Sequence, residues 1–313
     1  MSNAMAAAFG GRNWSPRTAS LQEELGSIWG DCGVRDEFST LRAVLLHRPG
    51  AELARVADPD AALMLSVPDA GLAGRQHDAL AAAYLDEGVS VHSVNPTGDA
   101  PPNQMFVADL MFMTPAGAIV GRPASTVRAG EERWVARRLA DLGIPIARAV
   151  GGHGTFEGAD AMWLSDDTVL VGRGLRTNRA GAAQVGAVLA ELGVRTIEVD
   201  LSQEAMHLMG QVRIVDRDLA FVVDGHTPWF AVVALRDLGY DVQAFPSPEE
   251  MRDGMAHNFV TLAPRRILMA AGNPRSQAFY EELGVTCRTV DIRELTRAAG
   301  GIGCLSGVLW RQT

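Results

Sequence analysis

Five polar residues stand at nearly even intervals along this chain: Asp109, Glu157, His207, Asn258 and Cys304, separated by 48, 50, 51 and 46 residues. As a set they contain what attack on a cationic carbon centre requires. Two carboxylates can hold a planar, permanently charged guanidinium through paired charge-assisted hydrogen bonds. A bound cation with a histidine nearby favours thiolate over thiol at Cys304, and the thiolate is the nucleophile. His207 can protonate a departing amine and later activate water to release an amidino group carried on sulfur. That chemistry calls for no metal and no cofactor.

Residues so far apart meet only if the chain repeats. Glycines 88, 143, 193, 239 and 284 each close a helix-like stretch, at spacings of 55, 50, 46 and 45 residues, and an aliphatic or aromatic residue follows each one. Such a glycine supplies the left-handed conformation that commonly ends a helix. The best-defined unit has apolar runs at 161–164 and 168–172, a helical pattern at 182–192 and a Val/Ile/Thr-rich run at 194–199, so it reads strand, strand, helix, strand. Neighbouring units follow suit, with runs at 106–113 and 118–121 before a helix at 131–142, and at 208–215 and 219–223 before one at 229–238. Runs at 259–262 and 267–270 precede a helix at 276–283. The first unit shows a strand at 41–47 and a helix near 79–87, and a strand-like run at 305–310 suggests that first and last units share one module and close a ring. Equivalent strand starts would then converge at the mouth of a pseudo-fivefold axis.

Composition narrows the class further. The continuous repeat argues for one domain at residues 39–313, preceded by an arm at 1–38 that serves as packing or oligomer contact; residues 1–4 read as a tag remnant. All 28 basic residues are arginine, which removes phosphate loops that need lysine and lysine Schiff bases. A net charge of −9 speaks against a nucleic-acid partner. No apolar run is long enough to span a bilayer, and three scattered cysteines suit a reducing cytoplasm. Residues 54–74, rich in Ala, Asp and Pro, read as a long loop that could act as a lid.

Five stretches carry a resemblance to a known group: Phe106-Val107-Ala108-Asp109, Gly154-Thr155-Phe156-Glu157-Gly158-Ala159-Asp160, Arg176-Thr177-Asn178, Met206-His207-Leu208 and Gly300-Gly301-Ile302-Gly303-Cys304. From about residue 41 onward the chain resembles the guanidine-modifying (pentein) superfamily, nearest to dimethylarginine dimethylaminohydrolases, then arginine deiminases and amidinotransferases. The resemblance implies an α/β fold, a five-bladed α/β propeller of strand-strand-helix-strand repeats. It implies Cys304 as nucleophile, His207 as acid/base, and Asp109 and Glu157 as guanidinium ligands. It further implies Arg122 and Arg176 as holders of a substrate carboxylate, with Phe106 and Asn103 beside the substrate. Asn103 and Ala108 stand where dimethylarginine hydrolases usually carry acidic residues near the substrate, and Met209 stands where arginine deiminases have aspartate. The expected activity is amidine C–N hydrolysis of a free arginine derivative or related guanidino acid. Amidinotransfer to an amine and non-catalytic binding of a guanidino acid are the alternatives.

Overall fold

A computed structural model describes residues 5–312, so the expected tag remnant at 1–4 lies outside the described residues. The regular elements open with β1 (Thr40–Leu46), α1 (Ala70–Asp86) and β2 (Ser90–Ser93). Next come β3 (Met111–Thr114), β4 (Gly117–Val120), α2 (Glu132–Asp141) and β5 (Ile146–Ala149), then β6 (Ala161–Ser165), β7 (Thr168–Arg173), α3 (Arg179–Glu191) and β8 (Arg195–Asp200). The fourth group is β9 (Val212–Asp216), β10 (Leu219–Val222), α4 (Trp229–Asp237) and β11 (Asp241–Ala244), followed by α5 (Pro248–Gly254). The last comprises β12 (Val260–Ala263), β13 (Arg266–Ala270), α6 (Pro274–Glu282), β14 (Thr286–Val290), α7 (Ile302–Leu305) and β15 (Gly307–Gln312).

These strands form five three-stranded sheets, ordered β15-β1-β2, β3-β4-β5, β6-β7-β8, β9-β10-β11 and β12-β13-β14. Each middle strand pairs antiparallel with one neighbour and parallel with the other. The first and last parts of the sequence therefore do share a sheet. Among the described residues no sheet closes on itself; instead β15 packs on β3, β1 on β12 and β12 on β9.

The recurrent glycine has the expected cause. Glycines 88, 143, 193, 239 and 284 have φ between 70° and 88°. After each, the N–H of the next residue reaches back to a helix carbonyl: Val89 to Tyr84, Ile144 to Leu139, Val194 to Leu189, Tyr240 to Leu235 and Val285 to Tyr280, at 2.9–3.1 Å. Together with the glycine's own bond three residues back, this is the Schellman pattern. The residue after the glycine is buried in every copy, so the stop signal also anchors the helix to its sheet.

Large side chains peg neighbouring sheets together. Trp163 stacks on Phe112 with ring centroids 5.9 Å apart and donates its indole N–H to the Met113 carbonyl. Tyr240 donates to the Leu164 carbonyl, and Phe221 packs edge-on to Tyr280 at 4.9 Å. The first two strands of each sheet are largely buried, whereas the third lies at the rim; all four residues of β5 are exposed.

Two sequence expectations need correction, and one helix is additional. The runs at 106–113 and 208–215 are not single strands, because 3₁₀ turns at Val107–Leu110 and Leu208–Gly210 precede β3 and β9. Nothing in their apolar letters breaks a strand; packing between units bends them. Helix α1 starts at Ala70, inside the segment read as loop, because Asp69 caps it by accepting from Leu72 N–H. Helix α5 was absent from the reading. Residues 30–38 of the N-terminal arm pack on the repeat units: Gly30 N–H bonds to the Gly143 carbonyl, Gly33 exchanges bonds with Leu309 and Arg311, and Glu37 accepts from Trp163 N–H.

Candidate active site

The short turns ahead of the first strands carry the polar residues of the repeat. Asp109 lies on the turn before β3, Glu157 immediately precedes the turn Gly158–Asp160 before β6, and His207 immediately precedes the turn before β9. The fifth member, Cys304, sits on α7 immediately before β15. Its approach to the others depends on missing side chains. A Cβ at Gly300 would lie 2.2 Å from the Phe106 ring, and one at Gly303 would lie 2.4 Å from Arg213 Nη2. Asn258 completes the cradle, since Cys304 N–H donates to its Oδ1 at 3.1 Å and its Nδ2 donates to Sγ at 3.0 Å.

Asp160 and Thr177 fix the turns relative to one another. Asp160 Oδ1 accepts from Leu208 N–H at 3.0 Å and Oδ2 accepts from the Thr177 hydroxyl at 2.6 Å, while Thr177 Oγ1 accepts from Glu157 N–H at 3.2 Å. Asn178 caps α3 through Gly181 N–H and also accepts from Thr155 N–H. The Arg176-Thr177-Asn178 stretch is thus a clip between two units.

Asp109, Arg128, Arg176, His207 and Cys304 face one narrow cavity, bordered also by Asn103, Phe106 and Leu63. Asp109 Oδ2 accepts from Arg128 Nη1 at 2.6 Å; its Oδ1 is buried without a hydrogen bond, 3.9 Å from His207 Nε2. Glu157 does not line the cavity. Its carboxylate accepts from His207 Nε2 at 2.7 Å, from Ala124 N–H at 3.1 Å and, at 3.4 Å, from Arg128 and Arg176. The expectation of two guanidinium ligands therefore reduces to one in this geometry, because Glu157 is turned toward the histidine. Arg122 likewise stays outside the cavity, with Nη1 donating to the Gly154 carbonyl at 3.0 Å. Ala108 faces a different space beneath the site.

Arg128 escaped the sequence reading altogether. Its Nε and Nη2 both donate to Glu131 Oε2, at 2.9 and 2.7 Å, and its Nη1 reaches Asp109. The only signal was the three-residue spacing from Arg128 to Glu131, common to many surface pairs. Asp109, Glu157 and His207 also present ligand atoms within 4.8 Å of one another, a spacing that suits a metal ion. Arg128 already lies against both carboxylates, so an added cation there would meet a fixed like charge.

Burial works against a charged imidazole, yet the charge of Asp109, the hydrogen bond to Glu157 and the charge of Asp160 outweigh it and hold His207 protonated to about 9. Burial likewise opposes ionisation of Glu157, but His207 and the two arginines bring its carboxyl down to about 2. Asp160 and Glu131 are pushed up, to about 6 and about 7, by burial. Burial and then the charge of Asp109 push the Cys304 thiol up, against the opposing pull of Gly301 N–H, Asn258 and Arg213. A histidine that holds its proton thus faces the same cavity as a thiol whose ionisation is disfavoured.

Comparison with known proteins gives the family. The arginine deiminase family profile matches residues 101–227 and 241–311. The chain is 34% identical over 238 residues to an N(G),N(G)-dimethylarginine dimethylaminohydrolase of Streptomyces coelicolor, covering 76% of this chain and 86% of the relative. It is 27% identical over 242 residues to the enzyme of that name from Pseudomonas aeruginosa, covering 77% and 90%. Among solved structures, dimethylarginine dimethylaminohydrolase from Pseudomonas aeruginosa in complex with citrulline superimposes with a TM-score of 0.72 at 23% identity, over 87% of this chain and all of that one. The amidinotransferase SxtG of Microseira wollei superimposes with the same score at 14% identity, over 90% and 98%.

Proposed function

Since the chain belongs to the arginine deiminase family, within the pentein superfamily, we propose that it hydrolyses an amidine C–N bond of a free arginine derivative or related guanidino acid through a covalent amidino-cysteine. The observation that carries the proposal is the unpartnered, buried Asp109 Oδ1, which shares a cavity with Cys304 and His207. A buried carboxylate oxygen without a donor is costly, and a guanidinium supplies the donor. Residues 39–313 act as one catalytic domain in this reading, and the five sheets are the blades of a propeller whose axis opens at the site.

The steps follow from the charges. A guanidinium docked on Asp109 Oδ1 offsets the influences that hold the thiol up, so Cys304 releases its proton to solvent as the cation binds. Sulfur then adds to the guanidinium carbon. The C–N bond to the leaving nitrogen breaks as His207, still protonated at neutral pH, donates to it. The imidazole, steadied by Glu157, next takes a proton from water; the hydroxide adds to the amidino carbon and the C–S bond breaks, leaving a ureido product. Arg176, whose contacts to Glu157 are long, is the free partner for a substrate carboxylate; Arg128 is committed to Glu131 and Asp109.

Mass spectrometry of products from arginine, dimethylarginine, agmatine and guanidinobutyrate tests the reading, with intact-mass detection of the adduct on sulfur. Cys304→Ala should abolish turnover while leaving the fold and substrate binding in place. Near-normal rates in that variant would refute the covalent mechanism.

A further inference from the structure

Cys304 and His207 also border a second space, partly open to solvent, whose walls include none of Asp109, Arg128 and Arg176. Four of the chain's 12 methionines line it: Met206, Met209, Met251 and Met255. Unbranched, polarizable thioethers adapt to apolar guests of varied shape. The walls carry no carboxylate and no guanidinium. His257, 2% exposed, is held neutral because burial, then the charge of Arg213, lowers it to about 3.

Two polar atoms on these walls lack partners. Gln211 Oε1 and His257 Nε2 are buried without a hydrogen bond, and Gln211 is only 8% exposed. His257 Nδ1 lies 3.5 Å from the Tyr280 hydroxyl, which itself donates to the Ala256 carbonyl at 3.4 Å. The cleft thus offers an apolar bed with two unpartnered polar atoms, and His207 is the one charged side chain on its border.

We propose that this cleft holds the leaving-group side of the substrate, and that the preferred substrate is a guanidino acid bearing an apolar N-substituent larger than methyl, with an N–H or O–H directed at Gln211 and His257. The inference rests on the hydrolase reading above and adds the identity of the departing amine. The charged end of the molecule occupies the Asp109–Arg176 cavity, and the substituent crosses past Cys304 into the methionines. Sulfur bonds to the guanidinium carbon, the bond from that carbon to the substituted nitrogen breaks, and this nitrogen takes its proton from His207 and leaves as R–NH2. Water then replaces sulfur and a ureido acid is released. By the reverse of the first half-reaction, an apolar amine entering the cleft can attack the same carbon and expel sulfur.

The test compares kcat/KM for arginine, Nω-methylarginine, Nω-propylarginine and Nω-benzylarginine, following both the amine and the ureido acid. Rising values with substituent size are expected, the largest at least about tenfold above arginine, since each well-placed methylene is worth roughly 10- to 200-fold. Met251→Trp, which fills the cleft from α5, should lower the ratio of benzylarginine to arginine activity at least tenfold. In the wild-type protein, butylamine should intercept the covalent intermediate more efficiently than methylamine, giving Nω-butylarginine by mass spectrometry; this readout does not depend on the variant folding. Turnover of arginine and methylarginine with falling rates for the larger analogues would overturn the cleft assignment and leave the hydrolase reading intact. Release of neither amine nor ureido acid from any of the four would overturn both.

Discussion

Asp109 and Glu157 occupy equivalent turns one repeat apart and bear the same functional group, yet their surroundings divide the labour between them. Asp109 keeps one oxygen without a partner and faces the cavity. Glu157 is fully buried behind it, with His207, two arginines and a backbone N–H on its oxygens. Repetition supplied two carboxylates; local packing leaves one with an oxygen free of hydrogen bonds at the cavity and turns the other to the histidine, and the proposed roles rest on that difference. The difference teaches that equivalence in a repeat fixes where a side chain starts, while its neighbours fix what it can bind.

The most severe way to break this comparison is to neutralise each carboxylate in turn. Asp109→Asn should lower kcat/KM by two to nearly four powers of ten, the factor that follows from about 3–5 kcal/mol for breaking a buried charge pair. It should also quicken alkylation of Cys304 by iodoacetamide in the free protein, because the charge of Asp109 helps hold the thiol up. Glu157→Gln should cost less, about a hundredfold, and move the alkaline limb of the kcat/KM profile to lower pH as His207 loses its hydrogen-bond partner. Equal alkylation rates in the two variants would contradict the division.

A pH titration of stability sharpens it further. His207 is raised in the folded protein to about 9, so its contribution is fully present below the unfolded value near 6.5 and is lost as pH rises through 9. Urea unfolding at pH 6 and 9.5 should show wild type losing on the order of 2–3 kcal/mol more than His207→Gln. The contribution of Glu131, raised by burial to about 7, changes mostly below that window. Identical slopes in both proteins would remove the ion pair from the account.

The smallest contrast concerns the arginines. Arg176→Ala should raise KM about tenfold or more with a lesser effect on kcat, the scale of a lost charged hydrogen bond. Arg122→Ala should stay within about threefold, since its side chain serves the Gly154 carbonyl. Steady-state kinetics on the substrate found in the product screen decides between the two, and a larger effect at Arg122 would restore the paired clamp expected from sequence.

Much of the fold was legible because a glycine at C′ followed by a buried aliphatic is a local signal, written five times. The convergence of Asp109, Glu157, His207, Asn258 and Cys304 was legible for the same reason. Side-chain direction was not. Nothing in Phe156-Glu157-Gly158 says that the carboxylate turns toward His207, and nothing in Gly121-Arg122-Pro123 says that the guanidinium stops at a carbonyl. Arg128 depends on a 3₁₀ turn, Thr126–Arg128, with no side-chain cap to announce it. Helix α5 was a different failure: Ser247-Pro248-Glu249-Glu250 has the proline and acidic first turn of a helix start, and the repeat pattern drew attention away from it.

The antiparallel pairing of β1 with β15 has a consequence in time. Thr40 lies opposite Gln312 and Leu45 opposite Gly307, so this one sheet joins residues separated by nearly the whole sequence. The other four sheets draw their strands from short stretches of chain and can pair early, whereas ordering so long a loop comes late in folding. Helix α7 reaches β15 through Ser306 alone, so the cysteine settles into its cradle only as that seam closes. On refolding, protection of the Cys304 thiol from alkylation should trail the return of the helical circular-dichroism signal; simultaneous recovery would show that the seam forms with the rest.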